Sequence, residues 1–208
     1  MLVDKNIKDF LLETASDSPA PGGGSIAALC GALGAALGSM VCSLTIGKEK
    51  YQSFEGEFKD LKPKLEQNMS KLIKLIDDDT NAFNDVMSAF KLPKDTDEQK
   101  TKRSEAIQQG YKKAISVPLE TAQTSLNTLS LMELIVTKGN QNAITDGAVG
   151  ALASQTAIKG ALLNVKINLT SIKDENYVKS IKKNIAEIEA SMNHYLDTVM
   201  SIVEKSFN

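Results

Sequence analysis

Apolar residues recur along this chain at steps of three and four, the period of helices, and strand-like alternation is hard to find. The last segment is the clearest case. Ile181, Ile185, Ile188, Met192, Tyr195, Val199 and Ile202 form one stripe with Lys and Glu elsewhere, as in a bundle helix covering a core on one side. The same reading predicts helices over residues 4–14, 25–46, 54 or 63–90, 97–137, 145–169 and 176–207, with Pro118 expected to kink or break the fourth. "ASDSPAPGGG", "KLPKDTDEQK", "KGNQNAITDG" and "TSIKDEN" read as loops or breaks, and Gly47 as a helix stop. No internal repeat or linker interrupts the pattern. Residues 1–208 are therefore expected to form a single all-α domain, an up-and-down helical bundle with a buried central Gly/Ala-rich helix.

That central helix is the odd one. Residues 18–47 carry no charge, and 13 of the 23 residues from 25 to 47 are Gly, Ala, Ser or Thr. Leu29, Leu33, Leu37, Val41 and Leu44 form a bulky stripe; Ala28, Ala32, Ala35, Ser39 and Ser43 form a small one. The length would span a membrane, but a small face suits a soluble helix with a close neighbour. The expectation is a helix buried on every side, in a protein with no membrane partner. "GGGSIA" satisfies G-x-G-x-x-A, yet "DSPAP" before it cannot be a buried strand and no βαβ unit follows, so a dinucleotide fold is excluded. The glycines Gly22, Gly23 and Gly24 still present backbone N–H groups at the positive end of a helix.

The third predicted helix has a flaw in its stripe: Leu61, Leu65, Met69, Leu72, Ile76, then Asp79, then Phe83, Val86 and Phe90. A carboxylate at an apolar position must be hydrogen-bonded, paired or raised in pKa, which makes Asp79 a candidate acid–base group. Asp77 and Asp78 lie off the stripe and are expected in solvent. Asn140, Asn142, Thr145 and Asp146 crowd a loop and the helical turn behind it, where capping is the ordinary role. Asn164 and Asn168 sit four apart on a largely apolar helix, suggesting buried polar contacts.

Composition removes several function classes. Net charge is −2 with a pI near 5.6, so there is no basic footprint for nucleic acid. Cys30 and Cys42 would lie about 18 Å apart on one helix, beyond disulfide reach, and the expected compartment is the cytoplasm. The single His194 falls on the solvent side of its helix, about 200° from Met192. No His/Cys/carboxylate spacing fits a metal. Acid–base chemistry would fall to carboxylates with lysine or amide help.

"PAPGGGSIAALCGALGAALGSMVCSLTIGKEKY", "DDDTNAFNDVMSAFKLP" and "GNQNAITDGAVGALASQTAIKGALLNVKIN" resemble, in order and spacing, the formiminotransferase-cyclodeaminase C-terminal domain family. Thr145 stands where many members carry serine. The resemblance implies an all-helical subunit, a homodimer or dimer of dimers, a tetrahydrofolate derivative as substrate and no permanently bound cofactor or metal. Its favoured activity is methenyltetrahydrofolate cyclohydrolase; the alternatives are formimidoyltetrahydrofolate cyclodeaminase and a non-catalytic folate- or protein-binding oligomer. On this reading Asp79 and Asp146 divide two roles between them, one carboxylate accepting from the pterin N–H and amino group and the other serving as the acid–base group. Gly22, Gly23, Gly24, Ser25, Asn140, Asn142 and Thr145 contact substrate, and Lys48 meets the glutamate tail.

Overall fold

The computed structural model describes all 208 residues and contains only helices and turns. Six α-helices follow in order: α1 (Ile7–Thr14), α2 (Gly23–Thr45), α3 (Glu55–Phe90), α4 (Asp97–Lys138), α5 (Ile144–Leu169) and α6 (Glu175–Lys205). Short 3-10 turns cover Leu2–Asp4, Glu49–Phe54 and Gln141–Ala143. Local chemistry sets the boundaries. Asn6 and Asp174 accept N–H bonds in the first turns of α1 and α6, and Thr96 with Gln99 forms a reciprocal capping box on α4. Gly47, at φ 75°, turns the chain out of α2 as its position suggested.

α2 packs against α3, α4 and α5, and α6 covers α4 and α5. The α2–α5 pair is antiparallel and very close. A Cβ on Gly34 would lie 2.8 Å from the Gly150 carbonyl oxygen, so only glycine permits this crossing. The main core joins α2 to α6 and includes Phe58, Leu65, Ile115, Leu129, Met132 and Ile158, while Leu2, Phe10, Leu72, Leu75 and Ile76 build a second core under the N-terminal segment.

Three expectations change. First, α2 is not buried on all sides. Its 13 buried residues are mostly Gly, Ala and Ser, whereas Leu33 is 52% exposed and Met40 and Leu44 stand out beside it. The small face lets three helices approach; of the bulky stripe Leu33 and Leu44 look outward, Leu29 and Leu37 are partly covered and Val41 is buried. Second, Pro118 neither breaks nor ends α4. Proline supplies no N–H to the carbonyl four residues earlier, and the Asn168 side-chain amide donates to that Ala114 oxygen instead, at 2.9 Å. A distant side chain repairs the ladder. Third, Asp77 is not in solvent: it accepts the Leu2 N–H at 2.7 Å, and its other oxygen is buried without a partner. Asp78 is ion-paired to Lys74.

Candidate active site

A cleft of about 260 Å³ opens where the start of α2 meets the second half of α3, the middle of α4 and the end of α5. Its lining is polar around Gly22, Gly23, Gly24, Asp79, Thr80, Asn164 and Asn168 and apolar along Phe83, Val86, Met87, Phe90 and Tyr111. Phe90 and Tyr111 meet edge to face, with ring centroids 6.3 Å apart.

Asp79 is set here by two helices. The residue at the N-cap of α2 is Gly22, which has no side chain to cap the exposed N–H groups. Asp79 reaches across from α3 to that turn, where the Ser25 backbone and hydroxyl both interact with it. The packing is tight. A Cβ on Gly24 would fall 2.5 Å from Asp79 Cγ and 2.6 Å from Oδ2. The Ser25 hydroxyl is fully buried, 2.8 Å from the Ile76 carbonyl oxygen and 3.3 Å from Asp79 Oδ2. One hydroxyl proton cannot serve both, and the shorter carbonyl contact has the better claim. Burial pushes the Asp79 carboxyl above its ordinary 3.8, and the two Ser25 interactions pull it only partly back. A carboxylate that merely capped a helix would be held low; this one is raised and faces open space.

Asn164 completes the polar lining. Its Nδ2 donates to the Gly160 carbonyl at 2.9 Å, which leaves Oδ1 as the free acceptor. The site therefore offers a carboxyl, an amide oxygen and helix N–H groups beside aromatic and thioether surface. That combination is complementary to a flat heterocycle bearing N–H donors.

The other sequence-selected residues lie elsewhere. Asn140 ties the Gln141–Ala143 turn to the far end of α2: its N–H donates to Thr45 Oγ1 at 2.9 Å, and its Nδ2 to the Leu44 carbonyl at 3.0 Å. Its Oδ1 accepts from the Asn142 N–H at 3.1 Å and from the Tyr51 hydroxyl at 3.4 Å. Asn142, Thr145 and Lys48 are exposed, and Asp146 is half-buried in the first turn of α5. Eighteen residues of α5 separate Asp146 from Asn164, about 27 Å at helical rise. Within one chain Asp79 and Asp146 do not meet, and Lys48 is as far from the cleft. The residues missed from sequence, Thr80, Met87 and Tyr111, carry no local signal. Asn164 did have one, an amide on an apolar helix.

Residues 6–187 match the family model described as formiminotransferase-cyclodeaminase. The chain is 40% identical to the methenyltetrahydrofolate cyclohydrolase of Methylorubrum extorquens, an alignment covering 98% of this chain and 100% of that one. It is 35% identical to the formimidoyltransferase-cyclodeaminase of Gallus gallus, covering 98% of this chain but only 38% of that protein. Among solved structures, the formiminotetrahydrofolate cyclodeaminase of Thermotoga maritima superposes with a TM-score of 0.90 at 27% identity, over 100% of both chains.

Proposed function

The chain belongs to the formiminotransferase-cyclodeaminase family, and from that premise we propose that it is a methenyltetrahydrofolate cyclohydrolase with Asp79 as its acid–base group. The similarity that runs the full length of a free-standing cyclohydrolase favours this activity over the cyclodeaminase of the larger bifunctional relatives. The carrying observation is the raised Asp79 carboxyl, held against Gly24 in a cleft with polar and aromatic lining.

The substrate is a cationic amidinium carbon bridging N5 and N10. Water attacks that carbon as Asp79 removes one of its protons, forming a neutral tetrahedral intermediate. The carbon–N5 bond then breaks, the remaining hydroxyl proton leaves as the carbonyl forms, and N5 takes up a proton. The product is 10-formyltetrahydrofolate plus one released proton. Asn164 Oδ1 accepts from an N–H of the pterin ring, and Phe83 and Tyr111 face its π surface. A carboxyl raised above 3.8 is a better base toward water than an ordinary one.

The subunit acts as a homodimer in this reading. Leu33, Met40 and Leu44 on α2 and Val149, Leu152, Leu163 and Ile167 on α5 are large, apolar and 38–66% exposed, an arrangement that marks an interaction surface. A two-fold axis perpendicular to α2 sets it antiparallel to its copy. The end bearing Lys48, Asn140, Asn142, Thr145 and Asp146 of one subunit then approaches the Asp79 cleft of the other. The catalytic set separated within one chain is joined between two.

Purified protein is supplied with 5,10-methenyltetrahydrofolate in one assay and 5-formiminotetrahydrofolate in another, and the methenyl chromophore is followed. Accelerated loss in the first assay supports the cyclohydrolase. Chromophore appearing with ammonia in the second, without activity in the first, replaces it with the cyclodeaminase.

A further inference from the structure

The floor of the cleft changes chemistry along its length. Asp79, Phe83, Met87 and Phe90 follow one ridge of α3 over eleven residues, about 16 Å. Phe83, Met87 and Phe90 are 41%, 43% and 41% exposed, whereas Leu72 and Ile76, earlier on the same ridge, are 0% and 4% exposed. At the end of the ridge stands Arg103, the only arginine in the chain. Its guanidinium lies over the Phe90 ring, 5.6 Å from the centroid. Its Nε and Nη2 both donate to the Phe90 carbonyl oxygen, at 3.3 and 3.1 Å.

Those two bonds and the ring fix the plane of the fork. Of five N–H donors, three remain, both on Nη1 and one on Nη2, the edge that takes a carboxylate in two-point fashion. None of the chain's ion pairs uses Arg103. The acidic residues on the preceding turn of α4 are already occupied, Asp97 by Lys100 and Glu98 by Lys102. A preorganised, half-buried guanidinium without an anion thus sits at the opposite end of an apolar floor from the Asp79 and Asn164 acceptors. The order is acceptor, aromatic surface, cation. Its complement is a ligand with a donor-bearing heterocycle, an aromatic spacer and a terminal carboxylate.

We infer that Arg103 anchors the terminal carboxylate of the substrate, which in the folate reading above is the glutamate joined to the aminobenzoyl ring. The inference rests on that reading for the ligand's identity.

The test compares two substrates in the full chain: 5,10-methenyltetrahydrofolate and the same molecule without glutamate, 5,10-methenyltetrahydropteroate. Arg103→Met is expected to raise KM for the first about 10- to 100-fold, the weight of a charge-assisted pair. It should leave kcat within a few-fold and KM for the second unchanged, and Arg103→Lys should recover part of the loss. Circular dichroism checks that both variants keep their helices. If Arg103→Met weakens both substrates equally, or neither, Arg103 only closes the end of α3 and the proposal is overturned. If wild type turns over neither substrate, the folate reading itself fails and takes the proposal with it.

Discussion

Gly24→Ala isolates the contact on which the site depends. Gly24 lies in the first turn of α2, where alanine ordinarily favours the helix by at most about 1 kcal/mol. Here the new Cβ would stand 2.5 Å from Asp79 Cγ and 2.6 Å from Oδ2, whereas an ordinary contact is 3.4–4 Å. The carboxylate must therefore retreat by about 1 Å, and it can do so by rotating into the cleft, so the fold tolerates the change. A catalytic group displaced by that much costs roughly 100-fold in rate. Steady-state turnover and thermal melting are measured together, with Gly56→Ala as the control, since a Cβ there meets nothing within 4 Å. Turnover should fall about 100-fold while the melting temperature moves by no more than about 4 °C. Turnover within about threefold of wild type, with the Cβ in place, would refute the claim that the position of Asp79 sets the rate.

Asp79→Asn should change stability with pH in a defined sense. A carboxyl whose folded pKa is raised contributes stability that is complete below its unfolded value near 3.8 and lost as pH rises through the folded value. The asparagine variant should therefore unfold at higher denaturant than wild type at pH 7, and the difference should shrink as pH falls to about 4; a difference that grows on acidification contradicts the burial argument. Mixing inactive Asp79→Asn and Asp146→Asn chains should restore about a quarter of wild-type turnover after subunit exchange, because half the dimers carry one intact site. No recovery despite exchange would sink the shared site. Ser125→Ala removes a hydroxyl that is fully buried and lacks a partner, so chemical denaturation should show stability unchanged or raised by up to about 1 kcal/mol; a loss above about 1 kcal/mol would mean the hydroxyl is satisfied after all.

The helices were legible because their apolar period is local, and the α3–α4 turn fell where the charges and proline placed it. Asp79 was legible for the same reason, as a break in a regular stripe. What could not be read was which side of α2 would be covered. Its small and bulky stripes both suit burial, and only the glycine crossing with α5 decides that Leu33 and Leu44 face outward. That the helix would run unbroken through Pro118 could not be read, because the repair comes from Asn168, fifty residues later in the chain. Phe83 and Phe90 read as core residues, yet past Asp79 the same ridge of α3 runs along an open cleft. Tyr111 belongs to the site through α4, and no spacing links it to α3.

The most direct measurement is kcat of Asp79→Asn on 5,10-methenyltetrahydrofolate, beside wild type under conditions where both are fully helical. Asparagine keeps the shape of the side chain and can neither take up nor release a proton at neutral pH. Turnover is predicted to fall by about 10²- to 10⁴-fold. A rate near wild type would contradict the assignment of proton transfer to Asp79.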